Sequence, residues 1–145
     1  EKEIARFPDW LLWNALISPK LELVHARAEK LADGTYRVEV GVQNTGHLPT
    51  YVSKRAAQRK QTRGLVGEIT LPEGASLASG AARIHAGELE GRAYKHTLVS
   101  FWTDTTPMGD RAKLEWVVRA SAGSTVSVEV RHEKAGAVRA SLVLG

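Results

Sequence analysis

A two-residue alternation over residues 35–43 constrains the fold of this 145-residue chain more than any other feature. A period of two is that of a strand with one face on a core and the other in water. The preceding Asp33-Gly34 pair is typical of a tight turn between antiparallel strands. The pattern therefore predicts a hairpin in which residues 21–31 form the partner strand. The inward residues of the second strand are Tyr36, Val38, Val40 and Val42.

The partner strand has a less regular pattern. Leu21 and Leu23 share one phase, whereas Val24, Ala26 and Ala28 share the other. The shift by one residue indicates either a β-bulge within a strand or a helix with apolar residues three and four positions apart on one face. We expect the strand.

Further segments with a strand-like pattern follow, each bounded by Gly, Pro, Asp or Ser. Seven or eight short strands predict an all-β fold, an immunoglobulin-like antiparallel β-sandwich over residues 21–145. No alternation of strands with helices occurs, which disfavours a parallel nucleotide-binding sheet. The absence of cysteine excludes disulfides and thiol nucleophiles. The segments are Leu65–Leu71, Ser76–Ala86, Tyr94–Trp102, Ala112–Ala120, Thr125–His132 and Ala137–Leu144.

Residues 1–20 form a short Trp-rich segment ahead of the predicted sandwich, which we interpret as a linker or docking segment. Apolar residues between Asp9 and Ile17 recur at spacings of three and four, which predicts one or two helical turns. Either this segment packs on its own domain, or it docks on a neighbouring domain through Phe7, Trp10 and Trp13. Because the chain begins with Glu1 and no signal peptide follows, we expect it to belong to a longer polypeptide.

Residues 54–63 contain five cations and no acid, which makes them a candidate surface for an acidic neighbour or an anionic polymer. Trp102 is a second candidate, because exposed aromatic rings bind sugars. Nucleic acid is not expected as a partner, since the segment lacks aromatic platforms and a recognised motif. The five cations are Lys54, Arg55, Arg59, Lys60 and Arg63.

Catalytic and metal-binding signals are scarce. His85 and Glu88 have the H-x-x-E spacing of two zinc ligands, but a third ligand and a catalytic carboxylate would also be needed. We expect this spacing to be coincidental, and we expect no catalytic residue, metal ligand or cofactor in the chain. The apolar runs are also too short for a transmembrane segment, which needs about 20 residues.

Four stretches carry a resemblance to a known family: Asn44–Thr50, Leu71–Ala75, Gly87–Arg92 and Ala112–Val118. Together they resemble the C-terminal region of bacterial zinc carboxypeptidases of the M14 type. The resemblance implies that a catalytic zinc domain precedes a β-sandwich, with residues 7–19 as the connecting segment. It places the zinc and the catalytic residues in that preceding domain, so none is assigned to this chain.

Two functions follow as expectations. The first is a non-catalytic accessory domain that supports the catalytic domain or helps to present a peptide or cell-wall substrate. The alternative is a stand-alone binding module for a polysaccharide or an anionic cell-wall polymer.

Overall fold

The computed structural model describes residues 7–51, 53–59, 61–94 and 109–145. Over these residues the chain forms two α-helices, a short 3-10 helix and eight strands. The helices are α1 (Phe7–Ile17), α2 (Lys54–Gln58) and the 3-10 helix (Arg92–Tyr94). The strands are β1 (Leu21–Ala32), β2 (Thr35–Asn44), β3 (Leu65–Thr70), β4 (Ser76–Ser79), β5 (Arg83–Gly87), β6 (Arg111–Arg119), β7 (Thr125–His132) and β8 (Gly136–Val143).

The strands form two four-stranded sheets, with strand orders β1-β2-β6-β4 and β5-β3-β7-β8. Every described pairing is antiparallel. The alternating apolar residues of each sheet face the other sheet and form one core. This arrangement confirms the predicted immunoglobulin-like β-sandwich. The large side chains at its centre include Tyr36, Val38, Val40, Leu114, Trp116, Val118, Val126 and Val130.

Residues 21–31 form a strand, as expected, and the phase shift in their pattern is a β-bulge. Leu23 pairs with Val42, and His25 pairs with the next residue along β2, Gly41. Val24 is therefore the extra residue on β1. Beyond it the alternation resumes, and Ala26 packs against the core.

The single strand predicted over residues 76–86 is wrong, because the structure forms two strands there. β4 pairs with β6 in the first sheet, whereas β5 pairs with β3 in the second. Between them Gly80 has a φ of 93°, a conformation that residues with a side chain rarely adopt. The chain turns at this glycine and crosses from one sheet to the other. Of the strand predicted over residues 94–102, Tyr94 ends the 3-10 helix and the rest lies outside the described residues.

Most of the long connections between strands lie at one end of the sandwich. We call it the α1 end and define it as the end where β1 begins at Leu21 and β2 ends at Asn44. The register also places the start of β6 at this end. The Leu21 amide donates a hydrogen bond to the Ala135 carbonyl in the turn between β7 and β8, so the starts of β3 and β8 and the ends of β5 and β7 lie at the same end. The connections after β2, after β5 and between β7 and β8 therefore all emerge beside α1.

Candidate docking site

Helix α1 is apolar around its whole circumference, yet it lies outside the core. It contains no buried residue, and its six largest apolar side chains are between 57% and 81% exposed. Only Asp9 and Asn14 interrupt the apolar surface. The helix has eleven residues, which is longer than the predicted one or two turns. Its exposed apolar residues are Phe7, Trp10, Leu11, Leu12, Trp13 and Leu16.

The carboxyl end of α1 is fixed to the sandwich. The Leu48 amide donates a hydrogen bond to the Ile17 carbonyl at 2.9 Å, which ties the last helical turn to the loop after β2. A side chain on Gly46 would overlap the Ser18 carbonyl, so this glycine permits the close approach of the two segments. The helix is thus held at its base while its apolar side chains remain uncovered.

The buried side chain of Asn44 connects three segments at the α1 end. Its Nδ2 donates to the carbonyl oxygens of Leu48 at 2.9 Å and Glu90 at 3.1 Å. Its Oδ1 accepts the amide hydrogens of Lys20 and Gly46, each at 3.0 Å. All four hydrogen-bonding positions of the amide are occupied.

Two of the stretches that carry the family resemblance, residues 44–50 and 87–92, form one unit here. The Thr50 amide donates to the Leu89 carbonyl at 2.9 Å, and the Arg92 amide donates to the Gly46 carbonyl at 3.0 Å. A side chain on Gly91 would overlap the backbone of residues 47 and 48. This unit supports the base of α1.

A buried polar group next to this unit consists of Thr50, Glu88 and His132. The Thr50 hydroxyl donates to Glu88 Oε2 at 2.6 Å. His132 Nδ1 accepts the Lys134 amide at 3.1 Å, so its Nε2 carries the hydrogen and donates to the same oxygen of Glu88 at 3.1 Å. The carboxylate lies between the hydroxyl and the imidazole, whereas in a nucleophilic triad the imidazole takes the middle position.

The H-x-x-E pair is not assembled as a metal site. Glu88 is bound by Thr50 and His132, and His85 lies exposed on β5. Within the described ranges, no three His, Asp or Glu residues are placed to hold a metal ion. No sequence motif singles out His132, which is buried. His132 lies two residues after Val130, so it continues the alternation of β7 on the face that points into the core. This spacing is the sequence feature that indicates its burial.

The basic segment after β2 also lies at the α1 end, but it is not one long helix. α2 ends at Gln58, so the cations of residues 54–63 do not lie on one continuous helix. Arg55, Arg59 and Arg63 are exposed. The side chain of Lys54, together with Lys60 and Trp102, lies outside the described part of the chain.

Exposed cations without an ion pair are concentrated at the α1 end. On the outer sheet faces, by contrast, Glu39 pairs with Arg27 and Lys113, and Glu68 pairs with Arg83 and Arg131. At the α1 end, six exposed cations form no ion pair with a described residue: Arg55, Arg59, Arg63, Arg92, Arg111 and Lys134.

The fold and its uncovered helix define an immunoglobulin-like sandwich with an exposed apolar helix at one end. The chain belongs to the family described as a domain of unknown function, DUF8731, which matches residues 20–143. The matched region starts next to β1 and leaves α1 outside it.

A solved structure, the GAE domain of GGA2p from Saccharomyces cerevisiae, is similar at 13% identity with a TM-score of 0.43. The match covers 86% of this chain and 97% of that one. The search of curated proteins gave no match. Neither match names a zinc carboxypeptidase, so that resemblance stays a prediction. Among the described residues, no helix is both long and apolar enough to cross a membrane.

Proposed function

We propose that this chain is a non-catalytic accessory β-sandwich that docks through α1 on the catalytic domain of a zinc carboxypeptidase-like polypeptide. The observation that carries the proposal is α1, which is fixed to the sandwich at Ile17 and uncovered along its length. The sequence resemblance supplies the class of the neighbouring domain. It also assigns the zinc to that domain and not to this chain.

The exposed area of α1 favours a docking role over a solvated helix. Its large apolar side chains together expose on the order of 700 Å² of apolar surface. A standard protein interface buries about 800 Å² per partner, and exposed apolar patches of more than a few hundred Å² mark interaction sites. A helix that is apolar on all sides is normally enclosed by protein. We therefore infer that the partner provides a groove for α1.

The support beneath α1 gives the docked sandwich a defined orientation. Asn44 and the paired stretches 44–50 and 87–92 hold the base of the helix, so a partner that binds α1 also positions the sandwich. A sandwich held in this way stabilises the catalytic domain by adding buried surface to its native state. It also offers its remaining faces to a peptide or cell-wall substrate.

The test begins with the coding sequence upstream of Glu1 and the longer polypeptide that it specifies. In that polypeptide we expect the amides of α1 to exchange hydrogen about tenfold or more slowly than in the isolated chain. The double variant Trp10→Ala/Trp13→Ala should lose this protection and lower the unfolding temperature of the zinc domain. Val143→Ala is the control, because Val143 is an exposed apolar residue on β8.

Two outcomes would contradict the proposal. One is an upstream sequence that encodes no zinc domain with H-x-x-E and a later histidine. The other is an α1 that exchanges equally fast in the isolated chain and in the longer polypeptide.

A further inference from the structure

We propose that the surface receiving α1 is an apolar groove with an acidic rim, whose carboxylates pair with the exposed cations of the α1 end. This inference rests on the proposed function and specifies the chemistry of the docking partner. The observation behind it is the charge distribution around α1, on which the docking proposal does not depend.

The cations come from separate segments that the fold brings to one end. Arg55 lies on α2, Arg59 just beyond it, and Arg63 shortly before β3. Arg92 begins the 3-10 helix that follows β5, Arg111 begins β6, and Lys134 lies in the turn between β7 and β8. Segments so far apart in the chain lie at one end of the sandwich because their strands start or end there.

The negative charges at the α1 end do not balance these cations. Glu22 is paired with Lys20, and Glu88 and Asp110 are largely or fully buried. The exposed carboxylates without an ion pair to a described residue are Asp9, Glu90 and Glu133. Among the residues that the structure describes at the α1 end, these six exposed cations outnumber the three carboxylates, so their net charge is positive.

The apolar helix and the cations at the same end favour a protein groove over an anionic polymer. A hydrated polysaccharide could pair with the arginines but would leave the apolar surface of α1 in water. A protein groove lined by apolar residues and edged by carboxylates covers both features in one contact. Charges at the rim of such a contact steer association and exclude wrong partners.

The experiment measures hydrogen exchange of α1 in the longer polypeptide at low and high ionic strength. We expect the triple variant Arg55→Glu/Arg59→Glu/Arg63→Glu to reduce the protection of α1 by about tenfold at low salt. Raising the salt from about 0.05 M to about 0.5 M should reduce the wild-type protection several-fold. Arg59→Glu and Arg119→Glu are matched single changes. Only Arg59→Glu should reduce the protection of α1, because Arg119 ends β6 at the other end of the sandwich.

The possible failures are distinguishable. If α1 is protected, loses protection in Trp10→Ala/Trp13→Ala and responds neither to salt nor to charge reversal, docking stands and the acidic rim is wrong. If α1 is not protected in the longer polypeptide, both proposals fail. If the isolated chain is retained on insoluble peptidoglycan and the triple variant is not, the cations bind an anionic polymer and the proposal of an acidic rim is wrong. Unchanged thermal unfolding of the isolated variants excludes misfolding as the cause.

Discussion

At the scale of single residues, the side-chain amide of Asn44 holds loops in place through the geometry of its donors and acceptors. Its amide satisfies two backbone donors and two backbone acceptors that come from different segments. No other side chain of this size offers two donors and two acceptors in one plane. The Asn, Gly and Pro residues of the 44–50 stretch are typical of a turn. The partners of Asn44 at Lys20 and Glu90 cannot be identified from the sequence, because they are distant in the chain.

Replacing Asn44 with Ala should destabilise the sandwich by about 2–4 kcal/mol, because it leaves several backbone groups without partners in a buried place. Urea unfolding of the isolated chain measures this loss. Asn14→Ala is the matched control, since Asn14 makes one exposed hydrogen bond to the Trp10 carbonyl. Equal stability of the two variants would show that the Asn44 network contributes little.

At the scale of elements, Glu39 joins the three strands β1, β2 and β6 on the outer face of their sheet. Lys113 on β6 lies 2.6 Å from its Oε2, and Arg27 and His25 on β1 each lie 2.9 Å from its Oε1. Gly41 leaves room for the His25 ring, because a Cβ at this position would overlap it. The bulge at Val24 sets the register that places His25 opposite Gly41.

This cluster makes the stability of the sandwich sensitive to acid. The hydrogen bond from Lys113, helped by those from Arg27 and His25, lowers the pKa of Glu39 from 4.5 to about 2. A lowered pKa in the folded state contributes stability above the unfolded pKa, and this stability is lost as the pH falls toward the folded pKa. We therefore expect the free energy of unfolding to fall between about pH 5 and about pH 2.

The variant Glu39→Gln should show a smaller fall over this pH window, as measured by urea unfolding at a series of pH values. Glu73→Gln is the control, because Glu73 is exposed and forms no ion pair with a described residue. Parallel acid profiles for the wild type and Glu39→Gln would contradict the assignment.

At the scale of the whole molecule, two tryptophans at opposite extremes of burial mark the core of the sandwich and the uncovered helix α1. Trp116 is buried between the sheets, and its Nε1 donates to the Ala81 carbonyl at 3.0 Å in the connection between β4 and β5. Gly67 on the other sheet leaves room for it and for Leu114. Trp13 lies exposed on α1.

Trp116→Ala should therefore cost roughly 3–5 kcal/mol of unfolding free energy, because it removes a large buried ring and leaves a cavity. Trp13→Ala, the matched change at an exposed site, should cost less than about 0.5 kcal/mol in the isolated chain. Denaturant unfolding of both variants gives the comparison. A loss below about 1 kcal/mol for Trp116→Ala would contradict the core position of this ring.

The sequence by itself determined the strand-rich architecture. The two-residue alternation in β2, β6 and β7 is local, and a strand with one apolar face has to cover that face with another sheet. The helix predicted over residues 9–17 likewise depended only on the spacing of apolar residues within that segment. The boundary between β4 and β5 was missed because Gly80 interrupts an otherwise continuous pattern by its backbone conformation, which composition does not reveal.

The tertiary structure alone decided what lies at the α1 end. Only the sheet register brings Arg55, Arg92 and Lys134 to one end, and only the folded chain shows that α1 is held at Ile17 yet left uncovered. Likewise, Thr50, Glu88 and His132 meet through strands far apart in sequence. Local patterns fix which face of each element is apolar, but contacts between distant segments depend on how the strands pair, and pairing is a property of the whole fold.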